Sequence, residues 1–176
     1  MSSFELPDAA AVAAMEPAEV EAYLRVLDRE RRRAEAKVAT FLHTVSSVGA
    51  HLVDGHRTPR AFGQASCNWS FAEAGRLVKA GTTLDLFPSS AALAEAGGLG
   101  VAQLHALSSV VGNPRVQEHL AEGEARLVGE AVSLDYADYL TFLNSWVAAA
   151  DPDGAHQSAE RAHENRRARI GVVGNE

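Results

Sequence analysis

From Val20 to Leu52 the apolar side chains recur at alternating steps of four and three residues: Val20, Leu24, Leu27, Ala34, Val38, Phe41, Val45, Val48 and Leu52, with Arg31 as the one polar member. Among regular structures, only an α-helix brings such positions onto one edge. Pro17 suits a first helical position, so the pattern predicts a helix from there to about Gly49 or Leu52, roughly 50 Å long. A rod of this length cannot bury its own edge. It needs a second long helix of the same chain, expected to be the one that begins near Leu134, or the same helix of another copy. Val20, Leu24, Leu27, Arg31, Val38 and Phe41 are therefore a candidate self-association seam, and a homo-dimer is an open reading. Arg31 must then meet an acid or water.

The remaining residues are written in the same alphabet. Among 176 residues there are 33 alanines, 17 leucines, 17 valines and one isoleucine, with 6% aromatics. Alanine and leucine favour helix, and a sheet would draw on more β-branched and aromatic side chains. The expected fold is all-α, a multi-helix bundle of about seven or eight helices around one long N-terminal helix. Cys67 is the single cysteine, which excludes a disulfide framework and any zinc site of several thiolates. No apolar stretch approaches the roughly 20 residues that span a bilayer, and the acidic start lacks the positive flank of a secretory signal. A cytoplasmic location follows as the expectation.

Turn chemistry divides the chain into an acidic N-terminal segment (1–16), a helical domain (17–150) and a polar exit helix that leads to the C-terminus (151–176). Thr58-Pro59 reads as a cap with proline at the first helical position, and Ser70-Phe71-Ala72-Glu73 as a capping box. The helix from Phe71 is expected to end near Ala80, where Gly81 and two threonines weaken it. Pro88, Asn113-Pro114, Ser133 and Asp151-Pro152 mark further starts. In the helix after Ser133, Ala137, Leu140, Leu143 or Asn144, and Val147 form the expected inner face. Ile170–Val173 is the one strand-like stretch. It has no partner in the chain, which suggests that the sequence stops at the start of a second domain.

Net charge is −7, which argues against a nucleic-acid binder that works through overall charge. Charge is nevertheless segmental. Residues 25–37 hold six bases against three acids, 57–79 sum to +3, and 85–155 sum to −8. Solvated helix faces with paired charges account for most of this, and Asp28 with Arg32 has the favourable i,i+4 spacing. The helices from Pro59 and Phe71, with the break at Cys67-Asn68-Trp69, can also be drawn as a helix-turn-helix. Arg76 and Lys79 would then face solvent on the second helix, with Arg57 and Arg60 nearby as phosphate contacts. Packing of a two-helix corner outweighs that reading, because Glu73 turns a like charge toward phosphate.

Other reactive side chains point to no chemistry. His156, Glu160 and His163 share a helical face, and His51, Asp54 and His56 cluster near a helix end, but polar helices and helix dipoles explain both groups without a metal. Cys67 has no activating base beside it and reads as a half-buried packing thiol. Trp69 and Trp146 read as inter-helix anchors.

The order of the punctuation resembles a known family. Gly55-x-Arg57-Thr58, then Trp69-Ser70-x-Ala72-Glu73-Ala74-x-Arg76-Leu77-Val78, Phe87-Pro88, Gly97-Gly98-Leu99 and Gln103-Leu104-His105-Ala106 is similar to the helical N-terminal domain, domain-of-unknown-function family 222, of actinobacterial HNH-endonuclease-type repeat proteins. The likeness covers roughly residues 20–173 and includes the Asp151–Gly154 start and the Arg166, Arg167, Arg169 tail. It departs from the family at Gly81-Thr82-Thr83, where relatives continue a helix, and at Gly100. Arginine outnumbers lysine 14 to 2, as high-GC genomes favour.

Relatives continue into a C-terminal nuclease module, whose histidine base and metal ligands have no counterpart in this sequence. The resemblance implies a non-catalytic accessory domain that positions nucleic acid or a partner, without cofactor or metal. Arg57, Arg60, Arg76, Lys79, Arg166, Arg167 and Arg169 are then the candidate DNA contacts. The alternative is a stand-alone dimerisation or protein-interaction module.

Overall fold

The computed structural model describes residues 6–154, and caps set where its helices begin. α1 spans Ala9–Ala14, α2 Pro17–Ser47, α3 Ala50–Val53, α4 Pro59–Cys67, α5 Phe71–Leu86, α6 Pro88–Glu95 and α7 Val101–Val111. A 3-10 turn at Pro114–His119 leads into α8, Leu120–Ser133, and α9 covers Tyr136–Ala150. No strand occurs among the described residues, and the fold is all-α. The helix count exceeds the expected one mainly through α1 and α3, which are 6 and 4 residues long and too short to show a period.

Thr58 and Ser70 cap their helices, accepting from the Ala61 and Glu73 amides at 3.1 Å each, although the capping box expected at Ser70 forms only its hydroxyl half. The cap of α9 is Asp135, which accepts from Asp138 at 3.0 Å. Ser133 instead finishes α8, its hydroxyl donating to the Gly129 carbonyl at 3.1 Å. Asp151 accepts from the Gly154 amide at 3.0 Å, the expected start of the next helix. The remainder of the expected exit helix and the expected strand-like Ile170–Val173 lie outside the described residues.

α2 is the backbone of the packing, and of the expected edge it buries only Val45. Its buried residues are Ala36, Ala39, Leu42 and Val45. Val20, Leu24, Val38, Phe41, Val48 and Leu52 are exposed, Arg31 is exposed and paired with Asp28 at 2.9 Å, and Leu27 is half-buried. The physical reason is close approach. α5 buries Ala74, Leu77, Ala80, Gly81, Thr83 and Leu84, and at Gly81 the two helices nearly touch. A Cβ there would fall on the Ala39 carbonyl oxygen and 2.9 Å from the His43 Cβ. Small residues admit a neighbouring backbone where large ones would hold it off, so the edge richest in alanine wins over the edge with the bulkiest side chains. α5 consequently runs through Gly81-Thr82-Thr83 to Leu86 and does not stop near Ala80.

The main partner of α2 is therefore α5, followed by α6 and α4, while α9 packs on α7 and α8. α2 ends at Ser47 because Gly49 turns left-handed, at φ 70°, before α3. Gly97, at φ 74°, packs on Arg29, and Arg33 donates to the neighbouring Ala96 carbonyl at 3.3 Å.

Phe87, Leu99, Leu107, Val116, Leu127 and Tyr139 form the centre of the core. Tyr139 donates to the Leu127 carbonyl at 3.1 Å, and burial pushes its pKa up. Tyr139 and Leu143 are the buried residues of α9, with Leu140 and Val147 half-buried, whereas Ala137 and Asn144 are exposed, so the inner face is turned from the expected one. Trp69 and Trp146 are half-buried anchors: a Cβ at Gly63 or Gly123 would come within 2.7 Å of the respective indole. Cys67 is exposed at the end of α4, where packing would have half-buried it.

Candidate functional site: a cationic cleft

α5, α7 and α9 do not close on one another completely. Between them runs a cleft of about 840 Å³. The α5 wall presents Phe71, Gly75, Arg76 and Lys79, joined by Arg60 from α4. α7 and α9 line the rest with apolar side chains such as Ala106, Val110, Leu140 and Val147 and with polar ones such as His105 and Asn144. Three permanent cations line this space, and none of its lining residues is a carboxylate.

Local sequence explains how the cations gather. Ser70 fixes the start of α5, after which Ala72, Arg76 and Lys79 fall on one face at helical spacing. The left-handed Asn68, at φ 55°, turns the chain between α4 and α5. That turn sets the Arg60 guanidinium over the Phe71 ring, 4.4 Å from its centroid. Arg60 is thus held by a cation–π contact, which leaves its charge unneutralised. Neither Arg76 nor Lys79 forms an ion pair among the described residues. Phe71 and Tyr136 remain 65% and 46% exposed, so both rings can be reached from solvent.

A smaller cavity of about 350 Å³ adjoins the cleft, lined by Arg31, Glu35, Glu73, Arg76 and His105 among others. Glu35 and His105 Nε2 are 2.9 Å apart. That hydrogen bond holds the Glu35 carboxyl below its ordinary value, against the opposing effect of burial, with the charges of His105, Arg31 and Arg76 adding to it. His105 Nδ1 is buried without a partner. No nucleophile is assembled on this pair, because the Ser108 and Ser109 hydroxyls donate to the Leu104 and His105 carbonyls at 2.7 and 3.1 Å.

Of the expected nucleic-acid contacts, Arg60, Arg76 and Lys79 come together in the cleft. Arg57 is exposed just before the Thr58 cap and does not line it. Arg166, Arg167 and Arg169 lie outside the described residues, as do His156, Glu160 and His163. His51 is buried with Nδ1 3.3 Å from the Val45 carbonyl oxygen, and His56 lies 3.3 Å from Asp54. Among the described residues no three His, Cys, Asp or Glu side chains converge as a metal site would require. The same residues contain no helix long and apolar enough to cross a membrane.

Sequence reasoning missed the α7 and α9 walls of the cleft. A signal was present: Tyr136, Leu140, Asn144 and Val147 share one helical face, and that face lines the cleft beside the core. In comparison with known proteins, the family model described as Domain of unknown function (DUF222) matches residues 21–175. No curated protein and no solved structure matches the chain.

Proposed function

Since this chain belongs to the DUF222 family, whose relatives the sequence likeness associates with HNH nucleases of actinobacteria, we propose that it is a non-catalytic accessory domain that holds single-stranded nucleic acid in the cleft between α5, α7 and α9. In this reading it acts in the cytoplasm and positions the strand for a nuclease module. The observation that carries the reading is the cleft lining, which gathers Arg60, Arg76 and Lys79 without a carboxylate in a chain whose net charge is −7. A wall of cations beside apolar and aromatic surface suits a strand whose phosphates track the charge while its bases turn inward.

A duplex fits less well. The cations of α5 lie along a recess bounded by α7 and α9, whereas a recognition helix must project into a major groove.

The test is binding of a fluorescent single-stranded oligonucleotide across a salt series. Three phosphate contacts at about 0.7 counterions each give an expected slope of log K against log salt near −2. Arg76→Ala with Lys79→Ala should weaken binding by about tenfold or more at low salt and flatten the slope by about 1.4. No binding at low salt, or binding that the double variant leaves unchanged, would overturn the proposal.

A further inference from the structure

The side cavity next to the cleft is a different kind of space. Arg76, Ala102 and His105 line both, but the cavity adds Arg31, Glu35 and Glu73, so its two guanidinium groups stand against two carboxylates. A phosphate gains little there, because the carboxylates oppose what the guanidinium groups attract. At about 350 Å³ the cavity lies at the small end of ligand pockets, with room for one nucleobase.

Two of these four charges are already engaged. Arg31 pairs with Asp28 and Glu35 with His105 Nε2, each at 2.9 Å. Glu73 and Arg76 stand one helical turn apart on α5, a spacing at which such side chains commonly pair. They nevertheless form no ion pair with each other or with any other described residue. Nor does the Glu73 carboxylate accept from the Ser70 amide, although the Ser70 hydroxyl accepts from the Glu73 amide. An unpaired carboxylate and an unpaired guanidinium thus line the same cavity.

We infer that this pair reads guanine, holding one base of the strand in the side cavity while the backbone stays in the cleft. The inference rests on the single-strand reading of the cleft and adds its base preference. Guanine carries two adjacent N–H donors, N1 and the N2 amino group, which a carboxylate accepts together, and beside them the O6 acceptor, to which an arginine donates. Adenine, cytosine and thymine each offer a carboxylate one donor atom only, so Glu73 would keep an oxygen without a partner. Cβ atoms one turn apart are about 5–6 Å from each other, which suits contacts to the two ends of one base edge. Arg76 has five N–H donors, enough to serve a base on one side and a phosphate on the other. His105 has Nε2 held by Glu35 and Nδ1 buried, so neither nitrogen competes for the base, and its ring forms a wall with Val101 and Ala102.

Fluorescence anisotropy at low salt tests this with short oligothymidylates that carry one central guanine, adenine or cytosine, or none. The guanine strand should bind about tenfold more tightly than the others, the discrimination of one bidentate contact. Hypoxanthine in place of guanine lacks the N2 amino donor and should lose most of that gain, and Glu73→Gln should erase the preference. The hypoxanthine strand is read on the parent protein, so the test stands whatever the substitution does to folding. Equal binding of the four strands, a preference for another base, or a guanine preference that hypoxanthine or Glu73→Gln retains would overturn the inference and leave the cleft reading in place. Binding of none of the strands would overturn both.

Discussion

Replacing Gly81 by alanine sets two effects of opposite sign against each other. Alanine is worth about 1 kcal/mol more than glycine inside a helix, so propensity alone predicts stabilisation. At Gly81, however, the added Cβ would land on the Ala39 carbonyl oxygen, 2.9 Å from the His43 Cβ and 3.1 Å from the Ala39 carbonyl carbon. These are largely backbone atoms of a packed helix and cannot swing aside. α2 and α5 must separate, which loosens the contacts of Ala36, Leu42, Leu77 and Ala80 with their neighbours in the core. Overpacking of this kind costs about 1–3 kcal/mol and more where backbone blocks relaxation, so we expect a net loss of about 2 kcal/mol and a fall in Tm of about 4–8 °C. Gly129 supplies the control. It is exposed within α8, and a Cβ there meets nothing within 4 Å, so Gly129→Ala should raise Tm by about 2–4 °C. Thermal denaturation followed by circular dichroism reads both. A Gly81→Ala protein as stable as the parent would refute the close α2–α5 contact.

Two further perturbations follow from individual side chains. Glu35 is held below its ordinary value of 4.5. The unfolded chain therefore takes up this proton first as pH falls, and the stabilisation is complete above about 4.5 and fades as pH drops through the lower native value. Glu35→Gln should cost about 1 kcal/mol at neutral pH and lessen the loss of stability in acid. Urea unfolding at several pH values checks this, and an unchanged acid limb would contradict the His105 pairing. Tyr139→Phe removes the buried hydroxyl that donates to Leu127 and should cost about 1 kcal/mol. A variant equal to the parent in urea midpoint would show that this bond contributes nothing net.

Much of the architecture is legible in residues that act locally. Thr58, Ser70, Pro17 and Pro88 mark helix starts because caps and prolines need only their immediate neighbours. The long helix is visible in its period, yet the face it buries is not. Val20, Leu24 and Phe41 dominate any count of hydrophobicity, while the contact that decides the packing is made by Ala36, Ala39 and Gly81, whose value lies in their small size. The same cause hid the end of α5, since Gly81-Thr82-Thr83 reads as a weak helix until the neighbouring backbone is present.

The candidate site divides along the same line. Arg60, Arg76 and Lys79 stand out as local bases, whereas the opposite walls come from residues more than twenty positions away, which no local pattern ties to them. Leu140 and Val147 were expected to point inward, and the space they face is the cleft.

Amide chemical shifts on titration with a single-stranded oligonucleotide test the cleft most directly, because they report location as well as affinity. The account predicts the largest changes at Gly75, Ala106 and Asn144, one on each wall. Changes confined to residues away from α5, α7 and α9, or no changes at low salt, would contradict it.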